Sequence, residues 1–328
     1  MSFGDIAFQD RAVEFLTRSL RSGKLSQSLL FFGPEAVGKR FASLALAKAL
    51  NCVHKGPADC CDECASCRRI EAFNHPDVHW IGPSGAANRI PIEAIKSLKD
   101  AINLRPFEGK AKVFVVDEAH LLTGEAANSM LKVLEEPPAD SVLVIISDDI
   151  GKILPTLRSR CQWVHFRAAT PGELEKFLID RYGLDGEESR FLSSFSEGRI
   201  GKAIAMKDKD ILSWKNEVID RFTFDNVIFH QDPLFSDKDR EKALAVIDIL
   251  AGWYRDILVL KNGLNASYII NADRRGELVS KAHSLTTGSV EAMLDAILRS
   301  RADIERNANL KLVIADLACG LSREIGRD

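Results

Sequence analysis

Uninterrupted apolar runs separated by helical patterns occupy the first half of the chain. The runs Leu29–Phe32, Val113–Val116 and Val142–Ile146 contain no polar position, which is typical of strands buried on both faces of a parallel sheet. Val78–Ile81 and Trp163–Phe166 are shorter extended segments. Apolar residues at helical spacing lie before and between these segments, at Ala12, Phe15, Leu16 and Leu20, then at Ile92, Ile95, Leu98 and Ile102. This alternation predicts a doubly wound α/β domain.

The pattern changes at Thr170, where Thr170–Glu173 forms a capping box with Pro171 at the first helical position. A small helical unit follows and reaches about Met206. From Ile211 onward the apolar positions recur only at helical spacing: Ala243, Val246, Ile247, Leu250, Trp253, Tyr254 and Ile257, then Met293, Ile297 and Ile304, then Leu310, Val313, Leu317 and Leu321. These positions predict the core of a helical bundle rather than a ligand site.

The composition is that of a globular protein without a membrane span. A length of 328 residues allows two or three domains, and 46% hydrophobic with 28% charged residues is typical of water-soluble chains. A net charge of −3 gives no general attraction to nucleic acid, so DNA contacts are expected to be local or made through partners. No signal peptide and no apolar run near the ~18 residues of a membrane span can be found, which predicts a cytoplasmic protein.

A phosphate-binding loop is predicted at Gly33–Lys39, between the first strand and an Ala/Leu-rich helix. In such loops the backbone N–H groups and the helix N-terminus attract the phosphates of a nucleotide. The pattern requires Ser or Thr after the lysine, but the chain has Arg40 there. A guanidinium has no lone pair with which to bind Mg²⁺, so the loop lacks one part of a hydrolytic site.

The acidic pair Asp117 and Glu118 follows the strand that ends at Val116. In P-loop ATPases an aspartate in this place holds Mg²⁺ and a glutamate polarises the attacking water. Acidic residues after a strand can also simply cap the next helix. The presence of the glycine loop makes the remains of a nucleotide site the favoured interpretation.

Five of the seven cysteines lie between Cys52 and Cys67. Four of them, Cys52, Cys61, Cys64 and Cys67, have the number and spacing of ligands of a closed tetrahedral zinc site. Cys60 is surplus and could replace Cys61, and free thiols are the alternative interpretation. Cys161 and Cys319 are isolated, and we expect them to be small core residues.

Together these motifs resemble the clamp-loader branch of the AAA+ ATPases, as found in bacterial DNA polymerase III. The resemblance covers nearly the whole chain and is most specific at Leu134–Pro138 and Ser159–Cys161. The segments that carry it are Gly33–Lys39, the cysteine insert, Asp117–His120, Ala127–Pro138, Ser159–Cys161 and Asn307–Leu312.

The resemblance implies three domains and a role in a ring. The domains are an AAA+ core at 1–167 with a zinc-binding insert at 52–67, a helical lid at 168–208, and an all-α collar at 209–328. The expected partners are gamma/tau-type motor subunits and a delta subunit in a five-membered ring. Through that ring the subunit would act on the sliding clamp and primer-template DNA, and no polymerase site is implied.

The resemblance also assigns roles to single residues. In related rings the arginine corresponding to Arg160 reaches the nucleotide of the neighbouring subunit, which implies an arginine finger acting in trans. A local ion pair is the alternative for Arg160. The remains of the nucleotide site are at Gly33, Gly38, Lys39, Asp117 and Glu118, and whether ATP or ADP binds there is left open by the sequence.

Three departures from the motor subunits favour a subunit that organises a motor without being one. Arg40 replaces the hydroxyl residue of the loop. Gly201 stands where the lid of a motor carries a sensor arginine, and Arg199 is out of register with it. The chain ends at Asp328, without the long tail of tau. These features predict a non-hydrolysing assembly subunit.

Two other functions compete with this interpretation. An active ATPase, either gamma/tau-like or another AAA+ protein, would need metal binding that Arg40 does not support. A zinc-dependent DNA-binding module would need a basic stripe, but the insert balances its acidic and basic residues: Asp59, Asp62 and Glu63 against Lys55, Arg68 and Arg69.

Overall fold

The computed structural model describes residues 2–54, 59–85, 88–207, 210–223, 240–265 and 268–325. Two compact units make up the chain: Met1–Ala169 with Arg199–Gly201, and Thr170–Gly198 with Lys202–Asp328. The predicted boundary between lid and collar, at 208 and 209, lies outside the described residues, as do positions 55–58 of the cysteine insert. The division into three domains therefore stays a prediction.

The described part of the first unit contains one parallel sheet with the strand order β2-β3-β4-β1-β5. Its strands are β1 (Ser28–Phe32), β2 (Val78–Ile81), β3 (Lys112–Val116), β4 (Ser141–Ser147) and β5 (Gln162–His165). Strand β1 pairs with the central strand β4 on one side and with the outer strand β5 on the other. The loop after β1 and the residues after β4 are thus neighbours at the carboxyl edge, where doubly wound sheets bind ligands. The predicted parallel sheet of an α/β domain is confirmed.

Alternate strand residues pack into two apolar clusters, one on each face of the sheet. Leu29 and Phe31 belong to the first cluster and Leu30 to the second. Helices α1 (Asp10–Arg21) and α2 (Lys39–Asn51) contribute to the first, α4 (Ile92–Ile102) and α5 (Gly124–Glu135) to the second, while α3 (Ala65–Glu71) and α6 (Pro155–Arg158) are short. Because helices cover both faces, the strands appear in the sequence as continuous apolar runs.

The described residues of the second unit are helical, as predicted. Its helices are α7 (Pro171–Tyr182), α8 (Gly186–Phe195), α9 (Ile200–Lys207, which begins in the first unit), α10 (Ile211–Thr223), α11 (Arg240–Lys261), α12 (Arg275–Ser284), α13 (Thr287–Glu305) and α14 (Leu310–Ile325). The predicted capping box is present: the Thr170 N–H donates to the Glu173 carboxylate at 2.8 Å, and the Glu173 N–H donates to the Thr170 hydroxyl at 3.3 Å.

The predicted apolar stripes form the core of this unit. Trp253 and Ile257 on α11, Met293 and Ile297 on α13, and Leu317 on α14 are buried. Helix α11 packs on α13, and α13 packs on α14. Among the described helices, none combines the length and the apolar character needed to cross a bilayer.

Candidate functional site

The loop after β1 has the backbone of a phosphate-binding loop. Gly33 has a φ of +140°, and a Cβ at this position would lie 1.9 Å from the carbonyl oxygen of Phe166. Gly38 has a φ of +105° and precedes the first residue of α2, Lys39. Only glycine adopts these conformations without strain, so the glycines of the motif are required by the geometry.

The lysine of the loop is buried and surrounded by acceptors of its own chain. Its ammonium donates to the carbonyl oxygen of Gly33 at 2.5 Å and also to that of Pro34. It forms an ion pair with Asp148, whose carboxylate oxygen lies 2.6 Å from Lys39 Nζ. Sequence reasoning missed Asp148. The available signal was its position directly after β4, the strand beside β1.

Arg40 reaches the aspartate at the end of β3. Its Nε lies 2.8 Å from Asp117 Oδ2; the arginine side chain is 68% exposed and the aspartate side chain only 10%. Asp117 also accepts the N–H of Glu118 at 3.0 Å. Burial raises the pKa of Asp117, and the Arg40 guanidinium opposes that shift. Burial and the neighbouring Asp117 carboxylate together raise the pKa of Glu118.

These side chains do not fit the Mg²⁺ ion that P-loop enzymes use. The residue after Lys39 offers a cation instead of a hydroxyl oxygen, and that cation is paired with the aspartate that would hold the metal. The structure therefore brings Lys39, Asp117 and Glu118 to one edge of the sheet, as predicted, but with an arginine among them.

Gly201, for which the family resemblance predicted the loss of a sensor arginine, lies against the loop. Its N–H donates to the carbonyl oxygen of Ala36 at 2.8 Å. A Cβ at position 201 would be 2.9 Å from that oxygen and 3.1 Å from Ala36 Cβ. The close approach leaves no room for a side chain here, and Ala36 itself has a positive φ of 57°.

The cysteine insert gathers four sulfur atoms. The Sγ atoms of Cys52, Cys61, Cys64 and Cys67 all lie within 4.8 Å of one another. The N–H of Cys64 donates to Cys61 Sγ at 3.3 Å and that of Cys67 to Cys64 Sγ at 3.4 Å. Zn–S bonds of ~2.3 Å in a tetrahedral site place the sulfurs ~3.8 Å apart. The four sulfurs would therefore fit a zinc ion if their mutual distances shortened by about 1 Å or less.

The fifth cysteine of the insert, Cys60, packs with the other four, but it is not one of the four residues whose sulfurs converge. Cys60 Sγ is 3.5 Å from Asp62 Oδ1, and burial together with that carboxylate raises the pKa of the Cys60 thiol to about 12. The same aspartate accepts from the buried Lys48 of α2 at 2.7 Å, and Lys48 also pairs with Glu71 at the end of α3. Lys48 thus joins α2 both to the insert and to the end of α3, a role that its sequence context did not indicate.

The two isolated cysteines differ. Cys161 is half-buried against the second apolar cluster, in line with the prediction. The prediction for Cys319 was wrong, because this residue is exposed. Cys319 lies two positions after the buried Leu317. Two residues correspond to a rotation of about 200° around the helix, so Cys319 is on the opposite face of α14.

Arg160 makes the local ion pair that the sequence left as an alternative. Its Nε and Nη2 donate to Glu135 Oε1 at 3.0 and 2.6 Å, and Nη1 donates to the carbonyl oxygen of Thr156 at 2.9 Å. The arginine side chain is 35% exposed and that of Glu135 49%. Glu135 belongs to the Leu134–Pro138 motif, but sequence reasoning gave it no role.

Arg160 and the phosphate loop lie at opposite edges of the sheet. Arg160 precedes β5, whereas the loop follows β1, and these two strands are parallel neighbours. A strand of four or five residues is ~13–17 Å long, which is beyond the reach of an arginine side chain. The arrangement therefore separates Arg160 from the loop of its own chain.

Comparisons with known proteins match subunits of DNA polymerase III, and the delta' subunits among them match over nearly their whole length. A family model described as "DNA polymerase III, delta subunit" matches residues 8–170, and one described as "DNA polymerase III, delta subunit, C terminal" matches residues 232–322. The chain is 30% identical to the DNA polymerase III subunit delta' of Bacillus subtilis over 92% of this chain and 93% of that protein. The chain is 27% identical to the DNA polymerase III subunit delta' of Escherichia coli over 93% of this chain and 91% of that protein. The Bacillus subtilis subunit tau is 32% identical over 64% of this chain but 38% of its own length.

Proposed function

Because the chain belongs to the family of DNA polymerase III delta' subunits, we propose that it is the non-hydrolysing assembly subunit of a clamp loader. The observation that carries the proposal is that both cations of the phosphate loop are neutralised from within, Lys39 by Asp148 and Arg40 by Asp117. Hydrolysis in a P-loop enzyme requires the lysine on the phosphates and a metal ion on the aspartate. The same contacts disfavour the alternative of an active ATPase.

The expected assembly is a ring of five with gamma/tau-type motor subunits and a delta subunit. Similarity to both delta' and tau relatives supports membership of such a complex. Within the ring the subunit would help to open a sliding clamp and load it onto primed DNA. The helices beyond position 209 are proposed as the collar, and those of 168–208 as the lid.

The experiment that tests this function is reconstitution. We expect the chain to co-elute with delta and tau as one complex, and ATP turnover of that complex to rise when clamp and primed DNA are added. The isolated chain is expected to hydrolyse ATP at background level. Failure to enter the complex would contradict the proposal, as would turnover by the isolated chain that Lys39→Ala abolishes.

Arg160 is proposed as the active contribution of this subunit, acting on nucleotide bound by a neighbour. Its place at the edge of the sheet away from its own loop supports a role in trans. Its ion pair with Glu135 is solvent-exposed, and such pairs are worth ~0–1 kcal/mol, so a phosphate group can replace the carboxylate at small cost. A guanidinium supplied in trans can accelerate phosphoryl transfer by ~10³–10⁵.

The test of Arg160 uses the assembled complex. Arg160→Ala should leave folding, metal content and ring formation intact while it slows ATP turnover and clamp loading. The matched control is Arg158→Ala, two residues earlier in the same segment, which should have little effect. Wild-type ATP turnover with Arg160→Ala, or equal losses of turnover in both variants, would show that Arg160 has only a local structural role.

Zinc is proposed as the metal of the cysteine cluster, with a structural role. Four cysteine sulfurs supply a closed ligand set without an open position for chemistry. The two N–H groups that donate to Cys61 and Cys64 sulfurs would stabilise thiolate charge. When bound, zinc would hold the end of α2 and the start of α3 together.

A further inference from the structure

Arg40 changes the phosphate loop in two ways at once. It removes the hydroxyl oxygen that would bind Mg²⁺, and its guanidinium lies 2.8 Å from the carboxylate of Asp117 that would bind the same ion. A substitution that only removed the hydroxyl would leave a nearly buried carboxylate without its positive partner. Burying an uncompensated charge is costly, so the two effects of Arg40 belong together.

We propose that Arg40 is an internal replacement for Mg²⁺, which neutralises Asp117 permanently and keeps the phosphate loop in a metal-independent form. Lys39 and Arg40 are matched by Asp148 and Asp117, and Glu118 adds one more negative group. A triphosphate would bring several negative charges and would have to compete with both aspartates for the same cations.

The loop backbone supports this interpretation. A phosphate cradle presents N–H groups to its ligand. Here the carbonyl oxygens of Gly33 and Pro34 accept hydrogen bonds from the Lys39 ammonium. The loop therefore directs two carbonyl groups, and not only N–H groups, toward its own lysine. The Gly201 N–H bonded to the Ala36 carbonyl adds a further contact that holds this shape.

The proposal has a direct consequence for one substitution. Arg40→Thr removes the guanidinium from Asp117 and supplies the hydroxyl that the metal lacks, so it restores both protein ligands in a single step. Arg40→Ala frees Asp117 but supplies no hydroxyl. Comparison of the two variants therefore separates the loss of a cation from the gain of a metal ligand.

The experiment is a titration of a non-hydrolysable ATP analogue into the full chain, once with MgCl₂ and once with EDTA. For Arg40→Thr we expect binding at least ~10-fold tighter with Mg²⁺ than with EDTA, which is about 1.4 kcal/mol. The wild type and Arg40→Ala should show less than about a two-fold dependence on Mg²⁺. Adding Asp117→Asn to Arg40→Thr should abolish the gain.

Three results would overturn the proposal: wild-type binding as Mg²⁺-dependent as that of Arg40→Thr, a folded Arg40→Thr variant without Mg²⁺ dependence, or a gain that survives Asp117→Asn. Should Arg40→Thr fail to fold, a double-mutant cycle with Arg40→Ala and Asp117→Asn decides instead. The ion pair predicts a coupling of ~3-fold or more in the unfolding equilibrium, and no coupling would refute it. The proposal rests on the non-hydrolysing role above. Because the titration uses the isolated chain, a negative result would refute the role of Arg40 without bearing on ring assembly.

Discussion

Two arginine–carboxylate pairs lie at opposite edges of the same sheet and differ in their surroundings. At the carboxyl edge Arg40 pairs with Asp117, whose side chain is 10% exposed. At the amino edge Arg160 pairs with Glu135, whose side chain is 49% exposed. Water solvates the Glu135 carboxylate when its arginine leaves, but it solvates Asp117 poorly.

This difference shows how one chain could hold both the proposed non-hydrolysing site and the arginine proposed to act on a neighbour. The pair at Asp117 is costly to break, so the loop keeps its internal cation. The pair at Glu135 costs little to exchange, so Arg160 can turn to another anion while Thr156 still holds one of its nitrogens. The contrast rests on the burial of the carboxylates, since the arginine–oxygen distances are similar.

The largest expected effect concerns the cysteine cluster, where a bound metal is proposed, in contrast to the phosphate loop, where Arg40 stands in place of one. Cys64→Ser should abolish stoichiometric zinc and destabilise the chain by several kcal/mol, because structural zinc contributes ~10–16 kcal/mol in small domains and the sheet here supplies much of the stability independently. Metal analysis and thermal unfolding measure the effect.

The matched control for zinc is Cys60→Ser in the same insert. Its sulfur pairs with Asp62 and is not part of the four-sulfur cluster, so zinc content should stay at one ion per chain. Retention of zinc in Cys64→Ser, or its loss in Cys60→Ser alone, would show that the ligand set has been assigned wrongly.

A smaller effect tests the two ion pairs directly. Arg40→Ala should lower the free energy of unfolding by about 1–2 kcal/mol, because it leaves Asp117 unpaired in a poorly solvated place. Arg160→Ala should cost less than about 0.5–1 kcal/mol, because Glu135 is well solvated. Urea unfolding measures the loss in free energy of unfolding for each variant. Equal losses would contradict the proposed difference between the two ion pairs.

The smallest effect concerns the contact between Gly201 and the loop. Gly201→Ala places a Cβ 2.9 Å from the Ala36 carbonyl oxygen and should destabilise the chain by about 1 kcal/mol. The control is Gly124→Ala at the start of α5, where a Cβ meets no atom within 4 Å and alanine should be neutral or mildly stabilising. A denaturant melt should therefore show a loss of stability for Gly201→Ala and none for Gly124→Ala.

Much of the fold could be predicted because its signals are local. Apolar runs marked β1, β3 and β4, and shorter extended segments marked β2 and β5. The glycine loop marked the carboxyl edge, and Thr170–Glu173 marked the start of the second unit. Cysteine spacing also singled out the four residues whose sulfurs lie together. In each case the information lies within a few neighbouring residues, or in a repeat of known period.

Partners distant in sequence could not be predicted in this way. Asp148 meets Lys39, and Arg40 meets Asp117, only because β1, β4 and β3 are adjacent in the sheet. The role of Arg40 could be seen from sequence only as a missing hydroxyl, since the contact that it makes depends on strand order. The exposure of Cys319 depends on which face of α14 packs inward.

The most direct test of the whole account is ATP turnover by the reconstituted ring with one of two substitutions in this subunit. Lys39→Met removes the charge of its own loop while it keeps the volume of the side chain, and Arg160→Ala removes the group proposed to serve the neighbour. The account predicts wild-type turnover with Lys39→Met and, with Arg160→Ala, the loss of most turnover at the neighbouring site, where the finger is worth ~10³-fold or more. Loss of turnover with Lys39→Met and normal turnover with Arg160→Ala would contradict it.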